Sequence, residues 1–182
     1  MAEGWRRVRA DLRQITMTPT LERVHEFLMS LEITTHPGGD GEALLVPMDL
    51  THCRCNLVFQ HEAGSDEMTI LALHPSNVPA DRRHAVAEFL ARLNWNLGGQ
   101  RFLMDWADGE VRLRRDVSLL GPLKDENLSY WLRSACVLLD GFHPALMNVV
   151  YRGTPPLQAL EQGEAEYQVL IKNLKADGQE EK

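Results

Sequence analysis

The stretch RFLMDWADGEVRLRRDV, residues 101–117, carries Asp108-Gly109, the dipeptide that most limits what this chain can fold into. An Asp-Gly pair between alternating apolar residues turns the chain back on itself, because a two-residue type I′ turn needs positive φ at both central positions. Such a turn pairs Trp106 with Val111, Asp105 with Arg112, Met104 with Leu113 and Leu103 with Arg114. Side chains alternate between faces, so Trp106, Val111, Met104 and Leu113 share one apolar face. Asp105 and Arg112 meet on the other as a cross-strand ion pair. The two aspartates then have structural roles, and the stretch is a β-hairpin and not an acid–base site.

The remaining periodicities place helices around this hairpin. Trp5, Val8, Leu12 and Ile15 recur at helical spacing and predict an N-terminal helical extension over residues 1–17. Thr18 reads as an N-cap with Pro19 at the first helical position, and Leu21, Val24, Leu28 and Leu31 form the stripe of the next helix. The turn chemistry of residues 36–41 separates a short strand near Ile33 from a firmer one over residues 42–47. Cys53, Cys55, Leu57 and Phe59 alternate with polar residues, as in a half-buried strand, and residues 68–74 return as a more apolar one. A helix opens at Pro79 and carries Val86, Phe89, Leu90, Leu93 and Leu97, ending at Gly98-Gly99. After the hairpin, Asp125 caps a long helix through Leu128, Leu132, Ala135, Leu139 and Phe142, which Pro144 should kink or break and Gly153 stops. A last helix contains Leu157, Leu160, Tyr167, Ile171 and Leu174, and residues 176–182 form a polar tail. Strands grouped between helices indicate an α+β fold with an antiparallel sheet of about five strands, in one domain over residues 18–175.

Three stretches carry a family likeness: VPADRRHAVAEFLARLNWNL, FLMDWADGEVRLR and LLDGFHPALMNVVYRGTPPLQAL. In their order and spacing the chain resembles the YbjN family from about Thr20 to Leu160. The resemblance implies a fold like that of type III secretion chaperones. It also implies a regulatory or chaperone-like protein that binds other proteins, and it supplies no catalytic motif.

A search for chemistry agrees. Glycine-rich phosphate loops, a Gly-x-Ser-x-Gly elbow and His-Glu-x-x-His are all missing from the sequence. One metal hypothesis remains, with Cys53 and Cys55 on one strand face joined by His52, His61 or Cys136. Cys-x-Cys is a looser pattern than paired Cys-x-x-Cys, and free cysteines are among the most buried residues, so no metal, catalytic or cofactor-binding residue is expected. Cys136 lies mid-helix among apolar residues, which raises a thiol pKa. Three His-Pro pairs occur. His36 and His74 read as marks of strand ends or turns. His143 reads as a partner for carbonyls freed by Pro144, with pH sensing as its functional alternative.

The expected function is that of a non-enzymatic, protein-binding regulator or chaperone-like adaptor, with a homodimer as its form. The helix-borne Trp95 and Trp131 are its candidate interaction residues, because aromatics are enriched in binding hot spots. The alternative is a small metal- or thiol-dependent enzyme or redox sensor using Cys53 and Cys55. A net charge of −7 disfavours direct nucleic-acid binding, despite the basic clusters Arg6, Arg7, Arg9 and Arg112, Arg114, Arg115, and would favour a basic partner surface. No apolar run reaches about 18 residues, so no membrane span is expected. The N-terminus does not read as a signal peptide. Three cysteines give no even disulfide framework, which suits the cytoplasm.

Overall fold

A computed structural model describes residues 16–180, with side chains to residue 172. The expected N-terminal helix therefore lies outside the described residues, apart from its last two. The order of elements is helix α1 (Pro19–Ser30), strands β1 (His36–Gly38), β2 (Ala43–Asp49), β3 (Arg54–Gln60) and β4 (Glu67–Leu73), helix α2 (Arg83–Trp95), strands β5 (Arg101–Met104) and β6 (Val111–Ser118), and helices α3 (Asp125–Met147) and α4 (Pro156–Glu180). The fold is α+β. One antiparallel sheet has six strands in the order β1-β2-β3-β4-β6-β5, one more than expected. The additional strand is the His36-Pro37-Gly38 stretch that its composition marks as a turn, while Ile33 is not in a strand. Proline is tolerated there because β1 is a sheet edge, where a missing N–H breaks no central ladder.

The alternation of the strands decides where the core lies. Leu44, Val46, Cys55, Leu57, Phe59, Met68, Ile70, Ala72, Val111, Leu113 and Val117 are buried on one face, in one cluster with the helices. Leu45, Pro47, Asn56 and Gln60 lie on the opposite face and are exposed. Burying a side chain such as Phe59 contributes about 2–3 kcal/mol. The α1 stripe Leu21, Val24, Phe27 and Leu28 is buried. Thr18 caps this helix as expected, accepting from the Leu21 N–H at 3.4 Å. The buried ring of His61 fixes the cap from outside, with Nδ1 2.9 Å from the Thr18 hydroxyl and Nε2 3.1 Å from the Ser65 carbonyl.

Helix α3 runs beneath the sheet and is buried along most of its second half. It continues through Pro144 to Met147 and then widens into a π-turn over Asn148–Arg152, so the proline does not break it. Only the Asp140 carbonyl loses its helical donor, a small loss in a helix held by packing on both sides. Gly153, at φ +67°, stops the chain as expected. The N-cap of α3 is Lys124 and not Asp125, whose carboxylate instead pairs with Arg23 of α1. Helix α4 crosses α3 closely, with Tyr167 stacked on Phe142 at 5.2 Å between ring centroids. The polar tail continues this helix to Glu180.

The hairpin differs most from expectation. Met104 pairs with Val111, Leu103 with Arg112, and Phe102 with Leu113. Each β5 residue thus faces a partner two positions earlier than a two-residue turn requires. A shift of two keeps every side chain on its expected face, so Met104, Val111 and Leu113 still point inward. It leaves Trp106 in the loop, 52% exposed, and not in the core. It also removes the Asp105–Arg112 pair, because Arg112 bonds Glu110 at 2.6 Å. Asp105 instead accepts from the Ala107 N–H at 2.7 Å, and Asp108 from the Glu110 N–H at 2.9 Å, two Asx turns that organise a longer loop. Packing selects this loop. Gly109, at φ +79°, lies so close to Val78 that a Cβ would overlap the Val78 carbonyl, and its own carbonyl accepts from the Val78 N–H at 2.8 Å.

Candidate functional site

Two regions hold the side chains that sequence reasoning singled out. The first is the C-terminal end of α2. Its core stripe is Val86, Phe89, Leu90 and Leu93. Asn94, next in line, reaches the edge strand: its amide nitrogen donates to the Phe102 carbonyl at 2.8 Å, and its oxygen accepts from the Phe102 N–H at 2.7 Å. The side chain replaces a neighbouring strand for one residue of β5 and locks helix to sheet. Trp95 follows on the solvent side and is 88% exposed. An indole offered this fully on a clamped helix end has the character of a binding anchor.

Trp131 behaves differently. It lies on α3, half-buried, packed against the core cluster, and is not a free anchor. The two tryptophans therefore do not form an equivalent pair. Nearby, Arg115 points to the helix side of β6, with its guanidinium 5.3 Å from the centroid of the Tyr130 ring. Arg114 bonds Asp116 at 2.8 Å and Arg112 bonds Glu110. The basic cluster of the sequence is thus divided between two faces and partly neutralised.

The second region lies where the turn from β2 to β3 meets the middle of α3. Asp140 is 4% exposed. Its carboxylate accepts from the backbone N–H groups of His52 at 2.7 Å and Thr51 at 3.2 Å, with His52 Nδ1 3.5 Å away. One turn later, His143 Nδ1 stands 2.8 Å from His74 Nε2, with the ring centroids 4.9 Å apart. His143 therefore bonds His74 and is not spent on carbonyls freed by Pro144. His74 is buried, its Nδ1 is 3.0 Å from the Ser76 carbonyl, and burial pulls its pKa down to about 4. His143 is also lowered, first by burial and then by His52, against the opposing pull of Asp140.

The three thiols lie around the same region. Burial pushes Cys53 up to about 11, and Cys55 and Cys136 up to about 12, with further increments from Asp140. A thiol held so high has almost no thiolate at neutral pH, which disfavours it as a nucleophile. His61 is six residues beyond Cys55 along β3, about 20 Å away, and is engaged with Thr18 and Ser65. Among the described residues no three His, Cys, Asp or Glu side chains are grouped to share one metal ion.

Sequence reasoning missed Asn94, Asp140 and the burial of His74. A signal existed for Asp140, a lone acid within the apolar run SACVLLDGF. Asn94 and His74 show no local signature, because each is defined by a partner distant in the chain.

Comparison with known proteins agrees with this architecture. The model of the YbjN family, described as "Putative bacterial sensory transduction regulator", matches residues 20–147. No curated protein sequence matches the chain. Among solved structures, the chain is similar to the crystal structure of YbjN from E. coli, described as "a putative transcription regulator", with a TM-score of 0.53 and 13% identity over 81% of this chain and 94% of that one. At that identity the likeness shows the fold alone. The family match spans α1 to the end of α3, and with it this chain belongs to the YbjN family of regulators.

Proposed function

We propose that this chain is a non-enzymatic regulator that works by holding another protein, in the manner of an adaptor or chaperone, at the surface around Trp95. The observation that carries this reading is the exposure of Trp95 beside the Asn94 clamp. An exposed aromatic on a rigid support meets the two needs of a hot spot, apolar area to bury and little conformational entropy to lose. The two aspartates that most resemble acid–base catalysts are spent on loop geometry. Raised thiol pKa values weaken the alternative of thiol or redox chemistry at Cys53 and Cys55.

A role in transcription, of the kind named for the E. coli protein, would then be exercised through a protein partner. The pairing of Arg112 and Arg114 with acids supports that over direct phosphate contact. A closed two-fold dimer suits such an adaptor. As a face for it, α2 has outward residues available, whereas the second half of α3 is largely covered. No described helix is long and apolar enough to cross a membrane, and three free cysteines fit a reducing cytoplasm.

Trp95→Ala tests the reading. The variant keeps its thermal transition and loses capture of the proteins that wild type retains from the native cell. A variant that captures the same proteins as wild type overturns it. Light scattering across a micromolar dilution series tests the dimer, and a monomeric mass throughout removes it.

A further inference from the structure

We propose that His74 and His143 form a proton-operated latch that fastens the connection between β4 and α2 onto helix α3 and releases it in acid. The latch has three parts. His74 directly follows β4, and its main-chain N–H is held by the Val111 carbonyl at 2.9 Å, so the ring's origin is fixed beside the sheet. Its Nδ1 faces both the carbonyl and the N–H of Ser76, at 3.0 and 3.2 Å, so the ring also organises the connection that follows. Its Nε2 meets His143 Nδ1 at 2.8 Å, which joins that connection to α3 one residue before Pro144.

The proton count makes this a switch. A nitrogen-to-nitrogen hydrogen bond needs one N–H and one lone pair. With both imidazoles neutral, either ring supplies the hydrogen. A first added proton can rest on His143 Nε2, leaving its Nδ1–H to donate to His74. Asp140, one helical turn earlier, favours that state. A second proton must take the lone pair of His74 Nε2. No acceptor then remains, and two cations face each other inside the protein, so the bond is lost and the rings separate.

The surroundings leave the pair in control. Asp140 faces it from α3 and is itself bonded to the turn that carries His52 and Cys53. His52 opposes a charge on His143. From β2 and β3, Asp49 and Arg54 line the same cavity as His74 but bond each other at 2.6 Å. Cys55 there is neutral, and Glu110 just before β6 is paired with Arg112. From α4, the Tyr167 phenol is pushed further up and stays neutral. The cavity, about 610 Å³ and lined by Pro47, His74, Pro75, Asn77 and Glu110, is bordered by the connection, so release changes its shape.

The folded pKa of His74 is depressed to about 4 against an ordinary value of 6.5. The unfolded chain therefore binds more protons between these values. The latch is fully effective above pH 6.5 and is lost as pH falls through the folded value.

Nuclear magnetic resonance of the two imidazoles between pH 7.5 and 3.5 tests this, together with amide exchange at Ser76 corrected for intrinsic rate. The expected result is that His74 titrates far below 6.5 with the His143 ring responding in the same step. Protection at Ser76 then falls by at least about tenfold relative to Leu57, the equivalent of one pKa unit. In His143→Gln, where the partner cannot become a cation, the fall is smaller. His74→Gln serves as the second variant, and its protection at the Ser76 amide no longer follows pH. Independent titration of both rings near 6.5 overturns the proposal, as does an unchanged loss of protection in either variant.

Discussion

Asp140 and Trp95 violate the same rule in opposite directions. Asp140 is an acid enclosed by the protein, and Trp95 is the most exposed large apolar side chain among the described residues. The structure compensates for one and not for the other. Asp140 receives two backbone N–H groups from the turn after β2, so its burial is matched by hydrogen bonds and ties α3 to the sheet. Trp95 has no such return among the described residues, although Asn94 beside it is clamped by two bonds. The difference separates architecture from interface. A buried polar group with its partners present is explained by the fold, whereas an exposed indole on a fixed support is explained by something outside it.

Substitutions can break this contrast. The largest effect is expected for Asp140→Ala, which leaves the Thr51 and His52 N–H groups without their acceptor. Chemical denaturation should show a loss of about 3 kcal/mol, and a loss below about 1 kcal/mol would mean the carboxylate is not structural. Asn94→Ala removes both bonds to Phe102 and should cost about 2 kcal/mol. Amide exchange of Phe102 reports the unlocked strand edge directly. Trp131→Ala should cost about 2 kcal/mol through lost packing, while Trp95→Ala should change stability by less than about 0.5 kcal/mol. If the two tryptophan variants were equally destabilised, the division between core and anchor would fail. The smallest effect belongs to Asp105→Asn, at under about 0.5 kcal/mol, because an amide oxygen also accepts the Ala107 N–H. A loss of partner capture in a folded Asp105→Asn protein would show that the loop is more than a turn.

Legibility in the sequence followed distance along the chain. The cap at Thr18, the stop at Gly153 and the inward alternation of β3 depend on neighbours within a few residues, and all were readable. The hairpin was half readable. Asp108-Gly109 located the reversal and the faces, but the close approach of Val78 chose the register, so Trp106 went to solvent. In the candidate site the identity of Trp95 was legible and its exposure was not. A side chain two residues off a helical stripe can turn either way until the neighbouring element is placed.

What the sequence by itself determined, then, was parity and punctuation: which residues face inward, where the chain turns, and that strands lie grouped between helices. Those properties follow from the two-residue period of strands, the 3.6-residue period of helices and the steric demands of turns. Tertiary structure alone decided that the sixth strand would be His36–Gly38, that Asp140 would accept from a backbone N–H 88 positions away, and that His74 would meet His143 at a separation of 69. Such contacts leave no local pattern. They arise when packed layers bring distant groups into a place without water, where an unpaired hydrogen-bonding group is costly and a partner must be found within the protein.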